Sequence, residues 1–284
     1  MIDRTMNKLG FAIAVCVLLC SLPVFSQNDT ASFVAGKWSS ETIADGIVLK
    51  QCHFDNGELF GSNQFISVLE VASSRRIDIV ADTILRKTTD FASSVMAVAA
   101  VNGSFFNMKY PYNSVDYLRM DGSVRADNVK SSTNIRQRHQ LGAIATFAGE
   151  LYVLKADALW SWEKYIQSED VLTSGPLLIC DDTMEPMIDD SFYTTRHPRT
   201  SVGKRIDGTV LLVVVDGRNI EAAGMSLAEL QSVMKWLGCI DAINLDGGGS
   251  STMVVKGLIV NHPTDNKLFD AGGERSVANA VVVR

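Results

Sequence analysis

The residues best suited to chemistry lie in one short stretch, Ala242-Ile243-Asn244-Leu245-Asp246-Gly247-Gly248-Gly249-Ser250-Ser251-Thr252. An apolar run ends on a carboxylate, Asp246, and three glycines and three hydroxyl side chains follow at once. Glycine loses more chain entropy on folding than any other residue and packs nothing. Three in succession imply a sharp turn or close approach of a ligand to the backbone. A flexible Gly-Ser linker has the same composition, but here Met253-Val254-Val255 resumes an apolar strand immediately. Neither the G-x-G-x-x-G spacing nor the Gly-Lys-Ser/Thr ending of a P-loop is present. Anion binding would therefore come from successive backbone N–H groups forming a concave nest. An acid beside such donors suits a substrate whose oxyanion adjoins the bond to be cleaved.

A second carboxylate has a similar setting. The apolar run Val210–Val215 ends in Asp216-Gly217-Arg218. Between the two aspartates, Ser226-Leu227-Ala228-Glu229 reads as a capping box that opens a helix with apolar Leu227, Leu230, Val233, Met234 and Leu237, and Gly238 stops it. A strand–helix–strand unit of this length favours parallel strands joined by a right-handed crossover. Asp216 and Asp246 would then face one cleft at the carboxyl ends of the strands, about 5 Å apart if the strands are adjacent and twice that if one intervenes. The bland alternative for Asp216 is an Asx turn. Arg199 in His197-Pro198-Arg199-Thr200, and Arg275 before the last strand, supply guanidinium groups that can grip phosphate through two parallel hydrogen bonds. His197 sits on the same loop as Arg199 and could titrate usefully, although a packed or solvated histidine is the commoner case.

The elements that must position these residues read as a mixed α+β fold of the α/β class, with a largely antiparallel sheet, helices packed on it, and the strand–helix–strand unit near the C-terminus. Hairpins are signalled at Asn56-Gly57, Asp121-Gly122, Ala148-Gly149-Glu150 and Asp207-Gly208. Val95–Val101 is an almost continuous apolar run, as expected of a strand covered on both faces, and it leads into Asn102-Gly103-Ser104-Phe105-Phe106. The two phenylalanines could line a sugar cleft or fill the core. No repeat or long linker interrupts the chain, so residues 46–284 read as one domain, preceded by a polar, flexible segment over 27–45.

Composition narrows the function. The 284-residue chain is 46% hydrophobic and carries a net charge of −6, with no basic stripe to neutralise phosphates, which argues against a nucleic-acid partner. Residues 1–26 have the pattern of an export signal: Arg4 and Lys8, the apolar run Phe11–Cys20, and Val24 and Ser26 before a cleavage point. The run is too short to span a bilayer, and bulky Leu19 before Cys20 argues against a lipid anchor. The expected location is periplasmic or extracellular. Export permits a disulfide among Cys52, Cys180 and Cys239, and the pairing of Cys180 with Cys52 is the expectation, leaving Cys239 buried and free. The four histidines are far apart and no Cys-x-x-Cys occurs, so a zinc site is not expected. The chemistry should need no metal and no cofactor, with room for a structural calcium on loop oxygens.

From Val101 to Val283 the ordered series resembles the phosphodiester glycosidase domain family. The matching pieces are Asn102-Gly103-Ser104-Phe105-Phe106, Ser174-Gly175, Arg199-Thr200-Ser201-Val202-Gly203, Asp216-Gly217, Gly224-Met225-Ser226-Leu227, Asn244–Ser251 and Arg275. The resemblance implies hydrolysis of a sugar-1-phosphodiester, of the N-acetylglucosamine kind, to free sugar and phosphomonoester. It nominates Asp246, Asp216, Asn102, Gly175, Arg199, Thr200, Gly247, Gly248, Gly249, Ser250 and Arg275 as cleft residues. Cleavage at C1 needs a nucleophile or a base for water, which makes Asp246 and Asp216 the catalytic candidates and leaves the others to bind substrate. Two other classes fit the same residues: a non-catalytic glycan-binding module, and a metal-dependent phosphodiesterase using the aspartates.

Overall fold

The computed structural model describes residues 27–129 and 136–284. Three antiparallel sheets form the molecule. The largest has eight strands in the order Ser39–Ala44, Ile47–Leu59, Ser62–Val71, Val210–Val215, Arg199–Arg205, Cys239–Asn244, Leu177–Cys180 and Thr183–Met184. One five-stranded sheet is built around Asp170–Ser174 and Gly142–Phe147, and the other around Ala99–Asn102 and Val277–Val283. Alternation along Val210–Val215 shows why its sequence is continuously apolar. Leu211, Val213 and Val215 pack under the helix Leu227–Trp236, while Val210, Leu212 and Val214 face the core shared with the smaller sheets. A strand covered on both faces has no side left for polar residues.

The strand–helix–strand unit forms as its sequence indicates. Ser226 and Glu229 cap each other reciprocally, and Gly238 adopts φ +83° just beyond the helix. Val210–Val215 and Cys239–Asn244 both pair antiparallel with Arg199–Arg205, so they run parallel to each other with that strand between them. Their carboxyl ends meet at one sheet edge, two strand spacings, or roughly 10 Å, apart.

Several local expectations change. Residues 27–45, expected to be flexible, form the helix Gln27–Ala35 and the edge strand Ser39–Ala44. Phe33 anchors them: it is buried, with ring centroids 5.2 Å from Trp38 and 5.2 Å from Trp236. Asn56-Gly57 is not the hairpin turn. Both residues have positive φ inside the long strand, where the register shifts between Phe54 and Leu59, and the chain reverses at Phe60-Gly61 instead. An Asn-Gly pair suits a bulge for the same reason it suits a turn. The Val95–Val101 run is divided, with the helix Thr88–Ser94 ending before Val95 and the strand beginning only at Ala99. All three described cysteines are free. Cys52 and Cys180 lie on strands five positions apart in the eight-stranded sheet, roughly 24 Å at normal strand spacing, far beyond a disulfide's reach. Among the described residues, no helix is long and apolar enough to cross a membrane. The export-signal pattern at 1–26 lies outside the described residues.

Candidate active site

At the sheet edge where the two parallel strands end, the Arg199–Arg205 strand begins, so Arg199 sits between Asp216 and Asp246. Two bonds hold the Asp246 backbone to the neighbouring sheet: its N–H donates to the Gly103 carbonyl at 3.0 Å, and Asn102 Nδ2 donates to its carbonyl at 2.7 Å. Asn102 Oδ1 accepts from Thr200 Oγ1 at 2.7 Å and from the Thr252 N–H at 3.1 Å. Asn102 and Thr200 are wholly buried. They are behind the cleft, joining two sheets and both ends of the glycine loop.

Each glycine of the loop removes a different clash. A Cβ on Gly247 would lie 2.7 Å from the Pro198 carbonyl oxygen. Gly248 has φ +63° and donates to that same carbonyl at 2.8 Å. A Cβ on Gly249 would lie 2.5 Å from Arg275 Nη2, so the missing side chain is what admits the guanidinium. Asp265 accepts from both Nε and Nη2 of Arg275 and fixes its orientation.

Asp246 and the three glycines line a cleft of about 310 Å³ together with Arg199, Arg218, Arg275, His197, Asn244, Phe105 and Phe192. A shallower hollow beside Lys204 and Asp241 is larger, about 610 Å³, but it lacks this convergence of one acid and three arginines. The expected nest of free N–H groups does not form: the Gly248, Ser250 and Ser251 N–H groups donate to the Pro198, Gly247 and Gly248 carbonyls. Burial pushes the Asp246 carboxyl up to about 6, against the lowering effects of the Ser250 hydroxyl, Arg275, the Gly247 N–H and Arg218. Burial also lowers Arg199, to about 10, so it stays cationic at neutral pH. Its Nε donates to the Met225 carbonyl at 2.8 Å, and Nη2 donates to the Phe192 and Thr195 carbonyls, each at 3.0 Å. No carboxylate among the described residues forms an ion pair with Arg199 or Arg218. Burial, then Arg199 and Arg218, keeps His197 below its usual range and hence neutral at pH 7.

Asp216 is not part of this cleft. It is 1% exposed, and it accepts from Asn261 Nδ2 at 2.8 Å, from the His262 N–H at 3.0 Å, and pairs with His262 Nδ1 at 2.8 Å. It anchors the start of the 261–275 segment that carries Asp265 and Arg275. These bonds reach a segment 45 residues away, so the role is structural without being the local Asx turn, and the expected pair of facing carboxylates does not form. Gly175 is likewise one layer back. Its carbonyl accepts from Asn244 Nδ2 at 2.9 Å, and a Cβ there would lie 2.5 Å from the Arg138 carbonyl oxygen. Phe105, one of the two phenylalanines that could line a sugar cleft, does line it, as does His197, while Arg218, Asn244 and Phe192 join the cleft without having been singled out. Arg218 had a signal, since it follows Asp216-Gly217 directly. Phe192, on a four-residue helix capped by Asp190, had none.

A profile of the family described as Phosphodiester glycosidase matches residues 96–284, two thirds of the chain and every residue that lines the cleft. The chain belongs to the phosphodiester glycosidase family. The mouse N-acetylglucosamine-1-phosphodiester alpha-N-acetylglucosaminidase is 36% identical over 87 residues, 31% of this chain and 17% of that enzyme. The SPbeta prophage-derived protein YomE of Bacillus subtilis is 38% identical over 88 residues, 31% of this chain and 13% of that protein. The chain thus aligns with less than a fifth of the length of these curated relatives. In fold, this phosphodiester glycosidase family member resembles the zebrafish N-acetylglucosamine-1-phosphodiester alpha-N-acetylglucosaminidase catalytic domain, with TM-score 0.65, 17% identity and coverage of 91% and 94% of the two chains. A hypothetical protein from Synechocystis gives TM-score 0.62 at 14% identity, over 88% of this chain and 64% of that one.

Proposed function

We propose that this chain is a hydrolase that cleaves a sugar-1-phosphodiester of the N-acetylglucosamine kind, acting outside the cytoplasm after export through residues 1–26. The observation that carries the reading is Asp246, a carboxyl titrating near 6, set among Arg199, Arg218 and Arg275 at the glycine loop. Hydrolysis breaks the bond between C1 and the phosphate oxygen. The hydroxyl of water goes to C1, and the departing phosphate keeps the bridging oxygen and its electron pair. Charge therefore builds on the phosphate, where preorganised cationic and N–H donors lower the barrier most. A phosphate leaving group needs little protonation, which suits a cleft whose only lining carboxylate among the described residues is Asp246. Above pH 6 that carboxylate is ionised and acts at C1 as nucleophile or as the base for water.

Three guanidinium groups around one carboxylate oppose a divalent cation, which supports a metal-free reaction. The one described group able to hold an ion, Cys180, Asp181 and Asp241, has its ligand atoms within 4.8 Å of one another. It lies at the far end of the strand leading to Asp246. Incubation with an alpha-N-acetylglucosaminyl phosphodiester tests the proposal. Free sugar plus phosphomonoester, undiminished by a chelator, is the expected result. Sugar phosphate would mean P–O cleavage, binding without turnover would mean a glycan-binding module, and either ends this reading.

A further inference from the structure

The Asp246 cleft has one wall that the phosphate reading leaves unused. Arg199 lies over Phe192, 5.4 Å from the ring centroid, and Phe192 is followed by Phe105 at 6.2 Å and His139 at 5.4 Å. The wall therefore runs from the cationic end past two aromatic rings that line the cleft, and beside the second of them stands His139, an imidazole whose side chain is 23% exposed. His139 Nδ1 is 2.6 Å from Asp116 Oδ1, which leaves Nε2 as the free ring nitrogen. Asp116 is 0% exposed, burial raises its carboxyl, and its Oδ2 has no partner.

A second observation points to the same side of the cleft. Asn244 lines it, and Nδ2 is fully used by the Gly175 and Leu245 carbonyls at 2.9 and 2.7 Å. Its Oδ1 is buried and has no partner. Gly175 connects the two features, because its bare Cα lets the Arg138–His139 backbone close against it: a Cβ would sit 3.3 Å from His139 Cα. An acceptor without a donor, an oriented imidazole and an aromatic face together match a hydroxyl-bearing ring better than a second phosphate. Sugars offer donors at their edges and C–H faces to aromatic rings, and polar groups fixed in this way set orientation and specificity.

We propose that His139, oriented by Asp116, together with Asn244 and the Phe105 face, forms the subsite that recognises the glycosyl hydroxyls flanking the phosphate. The inference rests on the sugar-phosphodiester reading but is read out by binding rather than turnover. Calorimetric titration of the full chain with alpha-N-acetylglucosamine-1-phosphate and with inorganic phosphate gives an affinity ratio. In the wild type the sugar phosphate should bind at least tenfold more tightly. His139→Ala should reduce that ratio about tenfold while inorganic phosphate affinity stays within twofold, since the arginines are untouched. His139→Gln, which keeps a hydrogen-bonding tip, should fall between the two and guards against a folding artefact. An unchanged ratio in both variants, or equal loss of sugar phosphate and phosphate affinity, overturns the subsite. A wild type that turns over sugar phosphodiesters yet shows no preference for sugar phosphate also overturns it, with the catalytic reading intact. Failure of the catalytic reading appears separately, as absence of turnover.

Discussion

Asp246 combines chemical usefulness with a stability cost. Its pKa is raised by burial to about 6 from an ordinary value of 3.8, so folding favours its protonated form. The penalty is absent below pH 4 and complete above pH 6, where the folded protein must hold a buried charge that the unfolded chain holds in water. Asp246→Asn should therefore stabilise the fold at pH 7, by on the order of 1–3 kcal/mol, and give little change at pH 4. Thermal melts at the two pH values check this. Activity needs the ionised form, so kcat/KM should climb with pH through about 6 and then level, as an initial-rate profile would show. The arginines divide by their bonds. Arg199 is 3% exposed and serves three backbone carbonyls, so Arg199→Ala should lower stability by a few kcal/mol as well as activity. Arg218 is exposed and bonds only weakly, to His197 at 3.5 Å. Arg218→Ala should raise KM about tenfold with an unchanged melting temperature, the cleaner test of phosphate grip.

Within the glycine loop, similar substitutions should have different effects. Gly247→Ala drives a methyl against the Pro198 backbone, which has no freedom to move, so it should destabilise by several kcal/mol. Gly249→Ala meets the tips of Arg275 and Asp265, which can swing aside. It should melt nearly normally while losing most of its turnover, as a paired melt and rate measurement would reveal. The loop was legible in the sequence because Asp-Gly-Gly-Gly between two apolar strands has few structural readings. Its support was only partly legible. Asn102 and Thr200 were nominated as binding residues, yet they meet each other at 2.7 Å behind the cleft, in a contact between residues 98 apart in sequence. Asp216 was misplaced for a related reason. A strand ending in Asp-Gly looks the same whether the side chain turns into a cleft or toward a remote segment, here Asn261 and His262.

At the scale of the molecule, local signals carried the helix caps, most hairpins and the antiparallel character, because those depend on neighbours in sequence. The division into three sheets and the strand inserted between Val210–Val215 and Cys239–Asn244 depend on long-range pairing, which periodicity does not encode. The same limit misled the disulfide expectation, since only the sheet order separates Cys52 from Cys180. Thiol titration of the denatured, unreduced protein should find Cys52, Cys180 and Cys239 all reactive, and a loss of two thiols would contradict the fold described here. The central claim, that Asp246 performs chemistry in an arginine-lined cleft, is tested most directly by the turnover of Asp246→Asn on an alpha-N-acetylglucosaminyl phosphodiester. With folding confirmed by its melt, the variant should lose kcat by on the order of 10³-fold or more while keeping substrate affinity within a few-fold. A folded Asp246→Asn protein with near-normal kcat would make Asp246 a turn residue and contradict the account.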